Sequence, residues 1–304
     1  MYGSGTIQYL QNKEIDKDAW DKCITRSVNG LIYGYSFYLD HMADNWDALV
    51  LGDYEAVMPL PWRKKIFISY IYQPFLTAQL GMFGNNLSAG LLQDFFESVP
   101  RKFQYWDFPL NHSNLFSVHG FRFYERMNYV LDLDKPYQEL YQNYRENIRR
   151  NIRKSKDFGC FGRSGIGIKE IIHLARLQAK EFTDRDWQQF EKLFNVIHKK
   201  GMAKTYGIYS VQNELLASCV FFFSHKRASY ILVGNHPNGR GLGASHALID
   251  TFITDHAERP VILDFEGSDI RNLAFFYSSF GAREEKYPAV RLNRLPSLLK
   301  WLKK

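Results

Sequence analysis

The sequence predicts an α/β (α+β) fold in two tandem domains, each built on a mixed, mostly antiparallel sheet flanked by helices. Residues 203–234 alternate as three strands joined by short polar turns, and connections this short join antiparallel neighbours. Residues 48–74 repeat the same order of strand, acidic turn, strand, basic turn and strand. Helix signals flank both stretches, which indicates two copies of one α/β unit.

The domain boundary is predicted at residues 131–136, LDLDKP. Asp134 can cap a helix over 136–157 whose first turn holds Pro136 and whose apolar residues recur at i+4 spacing. We therefore expect domains over residues 1–130 and 131–304. After the first helix, the second domain is predicted to contain helices over 169–181 and 186–200, the three strands, a helix over 242–256, a strand over 260–267, a helix over 270–281 and a closing strand.

Composition excludes several classes of protein. With 45% hydrophobic and 23% charged residues the chain matches a soluble globular protein, and no apolar run approaches the roughly 20 residues of a membrane span. The N-terminus lacks the pattern of a signal peptide. Cys23, Cys160 and Cys219 are far apart and near no His/Cys cluster, which favours a reducing, cytoplasmic location and argues against disulfides and a metal site.

The net charge of +7 lies in the second half of the chain. Residues 1–130 carry 11 Lys and Arg against 13 Asp and Glu, whereas the remainder carries 28 against 19. A basic half favours an anionic partner such as a nucleotide cofactor, RNA or an acidic surface, although a basic surface without any partner gives the same count.

Residues 230–250, YILVGNHPNGRGLGASHALID, read as a strand, a glycine-rich loop and a helix start. Gly239, Gly241 and Ala244 satisfy a dinucleotide-binding pattern, with Asp264 20 residues further on. Three observations count against that interpretation. Four residues, NHPN, separate the strand from the first glycine, whereas the dinucleotide fingerprint turns directly off its strand. The preceding strands form an antiparallel meander, and the 40 residues after Asp264 are too few for the further βαβ units of a dinucleotide-binding domain. The alternative is a turn whose backbone N–H groups and following helix N-terminus hold a pyrophosphate. We call residues 238–244 the glycine loop.

The order of meander, glycine loop, helix, strand, helix and strand resembles the GNAT acyltransferase superfamily. The loop sequence NGRGLG over 238–243 resembles its R/Q-x-x-G-x-G/A pattern, with Asn238 in place of Arg or Gln. Further stretches resemble the FemAB-like branch with two GNAT-like domains. In the second domain these are YRENIRRNIRKSKDFG over 144–159 and ILDFEGSDIRNLAFFYSSFGA over 262–282, and in the first they are WDALVL, MPLP and IYQPFLTAQLGMFG over 71–84. The resemblance implies direct transfer of an acyl group from acyl-CoA to an amine, with no metal.

The resemblance also implies where the site lies. The first domain would be a degenerate unit that supplies a substrate groove, with Tyr72, Gln73 and Trp106 as its candidates. The second domain would bind the donor through the strand end and the glycine loop, at Val233, Gly234, Asn238, Gly239, Arg240, Gly241, Leu242, Gly243 and Ala244. Backbone N–H groups at the end of YILVG would polarise the acyl carbonyl.

Side chains near these segments supply the remaining chemistry. Glu266 and Asp264 alternate along the predicted strand, and either could orient the amine or accept its proton, with Glu266 nearer the strand end; Tyr277 resembles the residue that protonates the leaving group. Each also has an ordinary structural interpretation, as a helix cap or a core aromatic. Arg145, Arg149 and Arg153 form one line on a basic helix and could bind phosphates. His225, His236 and His246 are interpreted as surface or turn residues.

Two other functions stay open. The same fold could use aminoacyl-tRNA as donor and add an amino acid to a peptidoglycan-type amine, for which the basic second domain is the support. Alternatively the chain is a non-catalytic binding module, because Asn238 departs from the loop pattern. In the transferase interpretations the acceptor is the amine of a small molecule or a peptide, and tRNA is a further candidate partner.

Overall fold

The computed structural model of the protein describes residues 5–179, 182–267 and 269–296. Backbone contacts divide the chain into two compact units. The first unit holds the residues up to Arg126 and those from Lys286 onward, and the second holds Met127–Glu285. No helix of the described residues is long and apolar enough to cross a membrane.

The described residues of the first unit form strands and three α-helices in an order close to the prediction. Along the chain these are β1 (Ile7–Leu10), α1 (Lys17–Arg26), α2 (Ser36–Met42), β2 (Trp46–Leu51), β3 (Ala56–Lys65), β4 (Ile68–Tyr72), β5 (Phe83–Gly84), α3 (Ala89–Glu97) and β6 (Phe103–Pro109). Helix α3 packs its apolar residues on one face of the sheet, where Phe95, Phe96 and Trp106 are fully buried.

The second unit begins within β7 (Arg122–Asp132) and contains the remaining helices of the described chain. Its elements are α4 (Tyr137–Gln142), α5 (Glu146–Asp157), β8 (Phe161–Ser164), α6 (Ile168–Arg176), α7 (Asp184–Lys199), β9 (Ala203–Tyr209), β10 (Leu215–Ser224), β11 (Arg227–Asn235), α8 (Pro237–Gly241), α9 (Ala244–His256), β12 (Ile262–Asp264) and α10 (Arg271–Ser278). The chain then enters β13 (Arg283–Asn293), which crosses back into the first unit. The core of the second unit joins the apolar faces of α5, α9 and α10 to the sheet.

The two units share one strand pattern. In the first, four antiparallel strands in the order β1-β2-β3-β4 are followed by β6, parallel to β4, and then by β13, antiparallel to β6. In the second, β8-β9-β10-β11 are followed by parallel β12 and then by antiparallel β7. This confirms the predicted fold class of two mixed, mostly antiparallel sheets flanked by helices.

The strand that closes each pattern comes from the other half of the chain. β7 follows the first copy in sequence but pairs with β12 through residues 130–132, and β13 follows the second copy but pairs with β6 through residues 289–293. The sequence pattern predicts that the closing strand belongs to the second domain, over 131–304. In the structure, the part of this strand from Lys286 onward belongs to the first unit instead. The difference arises because the partner of a strand is set by long-range pairing, which the local sequence pattern does not encode.

Local signals predicted one helix accurately and another only in part. Helix α7 begins behind Thr183, whose hydroxyl and backbone N–H both bond Asp186 in a capping box, and Gly201 with φ +71° follows its end. The expected helix over 136–157 is interrupted between α4 and α5. Arg145 adopts extended backbone there, and its N–H donates to the carbonyl of Ser279 at 2.9 Å.

Candidate active site

A notch opens in the sheet of the second unit where β11 and β12 part. The two parallel strands pair only over Arg227–Ser229 and Ile262–Asp264, after which β11 continues to Asn235. Ile231 has no counterpart on β10, since the register shifts between Val220 and Phe221. A bulge of this kind bends a strand and increases its twist, so it accounts for the divergence of β11 from β12.

The glycine loop follows the open end of β11. Asn235 is succeeded by the short helix α8, then by Leu242 and Gly243, and then by α9. Leu242 has φ −97° and ψ 2°, and Gly243 has φ 70° and ψ 20°. A residue near ψ 0° followed by a left-handed one forms a turn whose backbone N–H groups can bind an anion. The Leu242 N–H itself donates to the Gly239 carbonyl at 3.2 Å, which leaves the N–H groups of Gly243 and the following residues to face a ligand. The start of α9, a helix of 13 residues, adds the positive end of its dipole.

Two of the loop glycines are required by close backbone contacts. A β-carbon at Gly239 would lie 2.6 Å from the carbonyl oxygen of Leu216, and one at Gly243 would lie 2.3 Å from that of Asn151 on α5. Gly241 has open space around it, with no heavy atom within 4 Å of an added β-carbon. The loop is therefore held against β10 on one side and α5 on the other, and Gly241 is free of such a constraint.

The side chains of the loop are less cationic than the resemblance implied. The Asn238 amide donates to both carboxylate oxygens of Glu214, at 3.3 and 3.4 Å, and Glu214 lies 3.5 Å from the His236 ring. His236 caps α8 by accepting from the Asn238 N–H. Arg240 is exposed and forms no ion pair with another described residue. The predicted donor site thus has the guanidinium of Arg240 on the loop and the carboxylate of Glu214 beside it.

Helix α5 is basic, but most of its predicted arginine line already has partners. Arg149 and Arg153 both lie within ion-pair distance of Glu146, at 3.3 and 2.6 Å. The Arg145 guanidinium stacks over the ring of Phe275 on α10, 4.8 Å from its centroid. Arg150 and Lys154 are exposed on the same helix. Arg149 and Arg153 thus lie on the helix that contacts the glycine loop, both paired with an acid. Arg145 precedes the helix on extended backbone, so the predicted line of three arginines on one helix does not hold.

Asp264 lies at the base of the notch in a buried ionic cluster. Its carboxylate accepts from Arg227 at 2.7 Å, from the Asn128 amide at 2.9 Å and from the Glu266 N–H at 2.9 Å. Arg227 also binds Glu285 at 2.6 Å. Burial alone would lower the pKa of Arg227, but the two carboxylates raise it above its usual value. Through Arg227 on β11 and Asn128 on β7, Asp264 links three neighbouring strands where β11 and β12 begin to part.

Glu266 and Tyr277 lie together at the end of β12. The strand ends at Asp264, and Glu266 takes a left-handed backbone with φ 63°, so the predicted alternation of the two acids along one strand does not hold. Tyr277 on α10 stacks on Phe265, with ring centroids 4.6 Å apart. Burial and the nearby charge of Glu266 raise the pKa of Tyr277, so its hydroxyl stays protonated at neutral pH.

His246 is a residue that the sequence analysis placed at the surface. It lies in the first turn of α9, three residues after Gly243, with its ring edge-on to Phe276 at 5.1 Å. Burial lowers its pKa to about 4, and its Nδ1 atom is buried without a hydrogen-bond partner. His225 does lie in a turn, between β10 and β11. The sequence feature that could have drawn attention to His246 is its position in the first turn of the helix that follows the glycine loop.

The comparisons with known proteins identify the fold. A scan of protein-family models and a search of curated proteins found no match. Among solved structures, FemX aligns with a TM-score of 0.71 at 14% identity, over 98% of this chain and 100% of that one. The chain has a tandem GNAT-like fold of the FemAB type. A tandem GNAT protein from the clavulanic acid biosynthesis pathway aligns at a TM-score of 0.54 and 10% identity, over 96% and 99% of the two chains.

A third similar structure is L-PGS from Bacillus licheniformis, with a TM-score of 0.53 and 11% identity over 83% of this chain and 85% of that one. At these identities the likeness establishes the architecture alone. Within the tandem GNAT-like fold, the notch and the glycine loop belong to the second unit. Among the described residues no group of three or more His, Cys, Asp or Glu could hold a metal ion.

The first GNAT-like unit has a cavity of about 280 Å³ on the sheet face opposite α3. It is lined by Tyr70, Ile71, Tyr72, Gln73, Tyr105, Asp107 and Tyr124. Tyr72 and Gln73 share this cavity, and Asp107 accepts there from Tyr124 at 2.6 Å and from Arg291 at 2.9 Å. Trp106 points the other way: it is fully buried, and its indole N–H donates to the carbonyl of Phe103.

Proposed function

We propose that the protein is an N-acyltransferase that moves an acyl group directly from acyl-CoA to an amine acceptor. The observation that carries the proposal is the notch between β11 and β12 with the glycine loop at its open end. The loop arrangement of Leu242 and Gly243, followed by the start of a long helix, suits the pyrophosphate of the donor. In this proposal the acyl group lies in the notch, beside the part of β11 that no longer pairs with β12.

In this proposal the reaction needs no covalent enzyme intermediate. The neutral amine attacks the thioester carbonyl, a C–N bond forms, and the C–S bond breaks. Backbone N–H groups of β11 beyond Ser229 stabilise the oxyanion. Glu266 orients the amine and accepts its proton, and Tyr277, which is protonated at neutral pH, donates a proton to the departing thiolate. Asp264 is assigned a positioning role, because its carboxylate holds Arg227 and the Glu266 backbone.

Calorimetric titration of the full chain with acetyl-CoA and with longer acyl-CoAs tests the proposal. We expect saturable binding that weakens with added salt, since phosphate contacts are screened. Glu214→Gln sharpens the test, because it removes a negative charge beside the loop while it keeps a side chain that can bond Asn238. It should strengthen CoA binding by roughly threefold, the scale of an exposed charge pair. Absence of binding to every acyl-CoA by the folded protein would sink the proposal.

A second donor, aminoacyl-tRNA, is favoured by a specific observation. The basic helix α5 touches the glycine loop through Asn151, and Glu214 sits beside the loop where a pyrophosphate would lie. Arg150 and Lys154 on α5 are exposed and could bind a nucleic acid backbone. Filter binding should then show tRNA affinity that falls steeply with salt and weakens in Arg150→Gln/Lys154→Gln. A chain that binds neither donor would instead be the non-catalytic module.

A further inference from the structure

The hairpin between β3 and β4 ends in two unusually exposed apolar side chains. Ile66 and Phe67 form its two-residue loop and are 75% and 89% exposed. Lys65 pairs with Ile68 directly beneath them, so the tip extends beyond the sheet as a narrow ridge. Side chains this large and this exposed gain nothing from the fold of the chain that carries them. Packing within the chain therefore does not explain why two large apolar residues occupy this loop.

The backbone at the tip is one that these side chains disfavour. Ile66 has φ 57°, in the left-handed region, and the residue after it is not among those with positive φ. In a two-residue hairpin loop of this kind glycine is favoured at the first position, and a β-branched residue there is a genuine outlier. The chain keeps a branched apolar side chain where a small residue would be more stable. Outliers of this kind concentrate at functional sites.

The tip is surrounded by cations at the same end of the sheet. Lys64 and Lys65 precede it and are exposed, and residues 63–70 contain no acidic side chain. Because β6 runs parallel to β4 with Phe103 beside Ser69, the exposed Arg101 lies at this end as well. The Arg294 N–H bonds the Gln104 carbonyl, which brings a further exposed arginine to the edge. Lys64, Lys65, Arg101 and Arg294 form no ion pair with another described residue.

We propose that this tip is a membrane-docking wedge: Ile66 and Phe67 enter the interface of an anionic lipid bilayer while the surrounding lysines and arginines bind its headgroups. The two exposed apolar side chains are flanked by exposed cations, and that combination suits the surface of an anionic bilayer. Apolar side chains beside basic ones are the composition that interfacial anchors use. The cations supply the attraction to anionic lipid, and the apolar pair supplies insertion. This inference is independent of the acyl-transfer proposal.

Vesicle flotation of the full chain tests the wedge. The protein should float with vesicles that combine phosphatidylcholine and phosphatidylglycerol and should stay behind with phosphatidylcholine alone. Ile66→Ser/Phe67→Ser should lower partitioning to anionic vesicles at least about tenfold. Lys64→Gln/Lys65→Gln should lower it roughly 30-fold, as expected for two basic residues at an anionic surface. Neither variant touches a buried side chain, so unfolding midpoints should not fall below that of the wild type.

Two measurements separate insertion from simple charge attraction. Val28→Ser/Val211→Ser is the matched control, because it removes two other apolar side chains that are 77% and 62% exposed; it should float as the wild type does. The indole introduced by Phe67→Trp should be quenched by brominated lipid in anionic vesicles to a greater degree than the native tryptophans. The proposal is overturned if the wild type ignores anionic vesicles, if Ile66→Ser/Phe67→Ser floats like the wild type, or if Phe67→Trp is quenched no more than the wild type.

Discussion

Gly243 in the glycine loop and Asn151 in helix α5 approach so closely that a β-carbon on Gly243 would lie 2.3 Å from the Asn151 carbonyl oxygen. No side chain can be accommodated at that separation without a shift of backbone. Gly243 also has φ 70°, which L side chains rarely adopt. The basic helix and the start of α9 are therefore fixed against each other at the loop that we assign to the donor.

Gly243→Ala should weaken both the fold and donor binding. The left-handed backbone and the clash with Asn151 together predict a loss of about 2–3 kcal/mol in the free energy of unfolding. Because relief of the clash must move α5 or the loop, affinity for the donor should fall at least about tenfold. Urea unfolding and calorimetric titration measure the two effects. Gly241→Ala is the matched control, since its β-carbon meets open space.

Tyr277→Phe should lower turnover without an equal loss of donor binding. If the hydroxyl protonates the leaving thiolate, its removal should reduce kcat by roughly 10²- to 10⁴-fold, with KM changed little. Donors whose leaving thiol is more acidic should be affected less, since they need less help from an acid. Tyr129→Phe serves as control, because Tyr129 packs near Tyr277 but donates to Glu284. Equal losses in both variants would remove the assigned role from Tyr277.

Arg227→Met should be among the most destabilising single changes in the second unit. It would leave the carboxylates of Asp264 and Glu285 buried together without their shared cation. Removal of one member of a buried ionic cluster costs about 3–5 kcal/mol, and urea unfolding would measure the loss. The triple variant Arg227→Met/Asp264→Asn/Glu285→Gln should recover much of it, because no uncompensated charge remains. A triple variant as unstable as the single one would contradict this account.

Stability should fall in mild acid through His246. Its pKa is about 4 in the folded chain and about 6.5 when unfolded, so only the unfolded state binds a proton as the pH falls through that window. The free energy of unfolding is therefore unaffected by His246 above about pH 6.5, and it falls progressively as the pH drops from about 6.5 to about 4. Between pH 7.5 and 5.0 the free energy of unfolding should drop by about 2 kcal/mol on account of this group.

His246→Asn should reduce that pH dependence, and His119→Gln, at an exposed position, should leave it unchanged. The measurement is urea unfolding of each variant at the two pH values. Burial also lowers the pKa of His256, so part of the acid sensitivity should persist in His246→Asn. An unaltered pH dependence in that variant would show that His246 is not buried as described.

Features with local causes were predictable from the sequence. Helix α7 is predicted over 186–200 and spans Asp184–Lys199. The agreement is close because the signals that define this helix, a capping box, an apolar stripe and Gly201, are all local in sequence. The three-strand meander and its earlier copy followed from strand alternation and short turns. The glycine loop was located correctly as the joint between β11 and α9, although the short helix α8 within it was not expected.

Features with distant causes were not predictable. The break before α5 depends on a bond from Arg145 to Ser279, and the pairing of Asn238 with Glu214 joins residues 24 positions apart. The left-handed Glu266 depends on the Gly267 backbone beside Met127, where a β-carbon would lie 2.6 Å from a carbonyl oxygen. Such contacts are determined by tertiary packing, and no periodicity in the sequence predicts them.

The exchange of closing strands has a consequence for how the chain is made. β13 is the last strand in the described chain, yet it pairs with β6 in the first unit. During synthesis β6 therefore emerges from the ribosome without the strand that covers one of its edges, and that edge stays open until residues 289–293 have been made. The first unit is completed only after the second unit has been translated. Fragments cut near residue 130 should therefore aggregate through that edge rather than fold as independent domains.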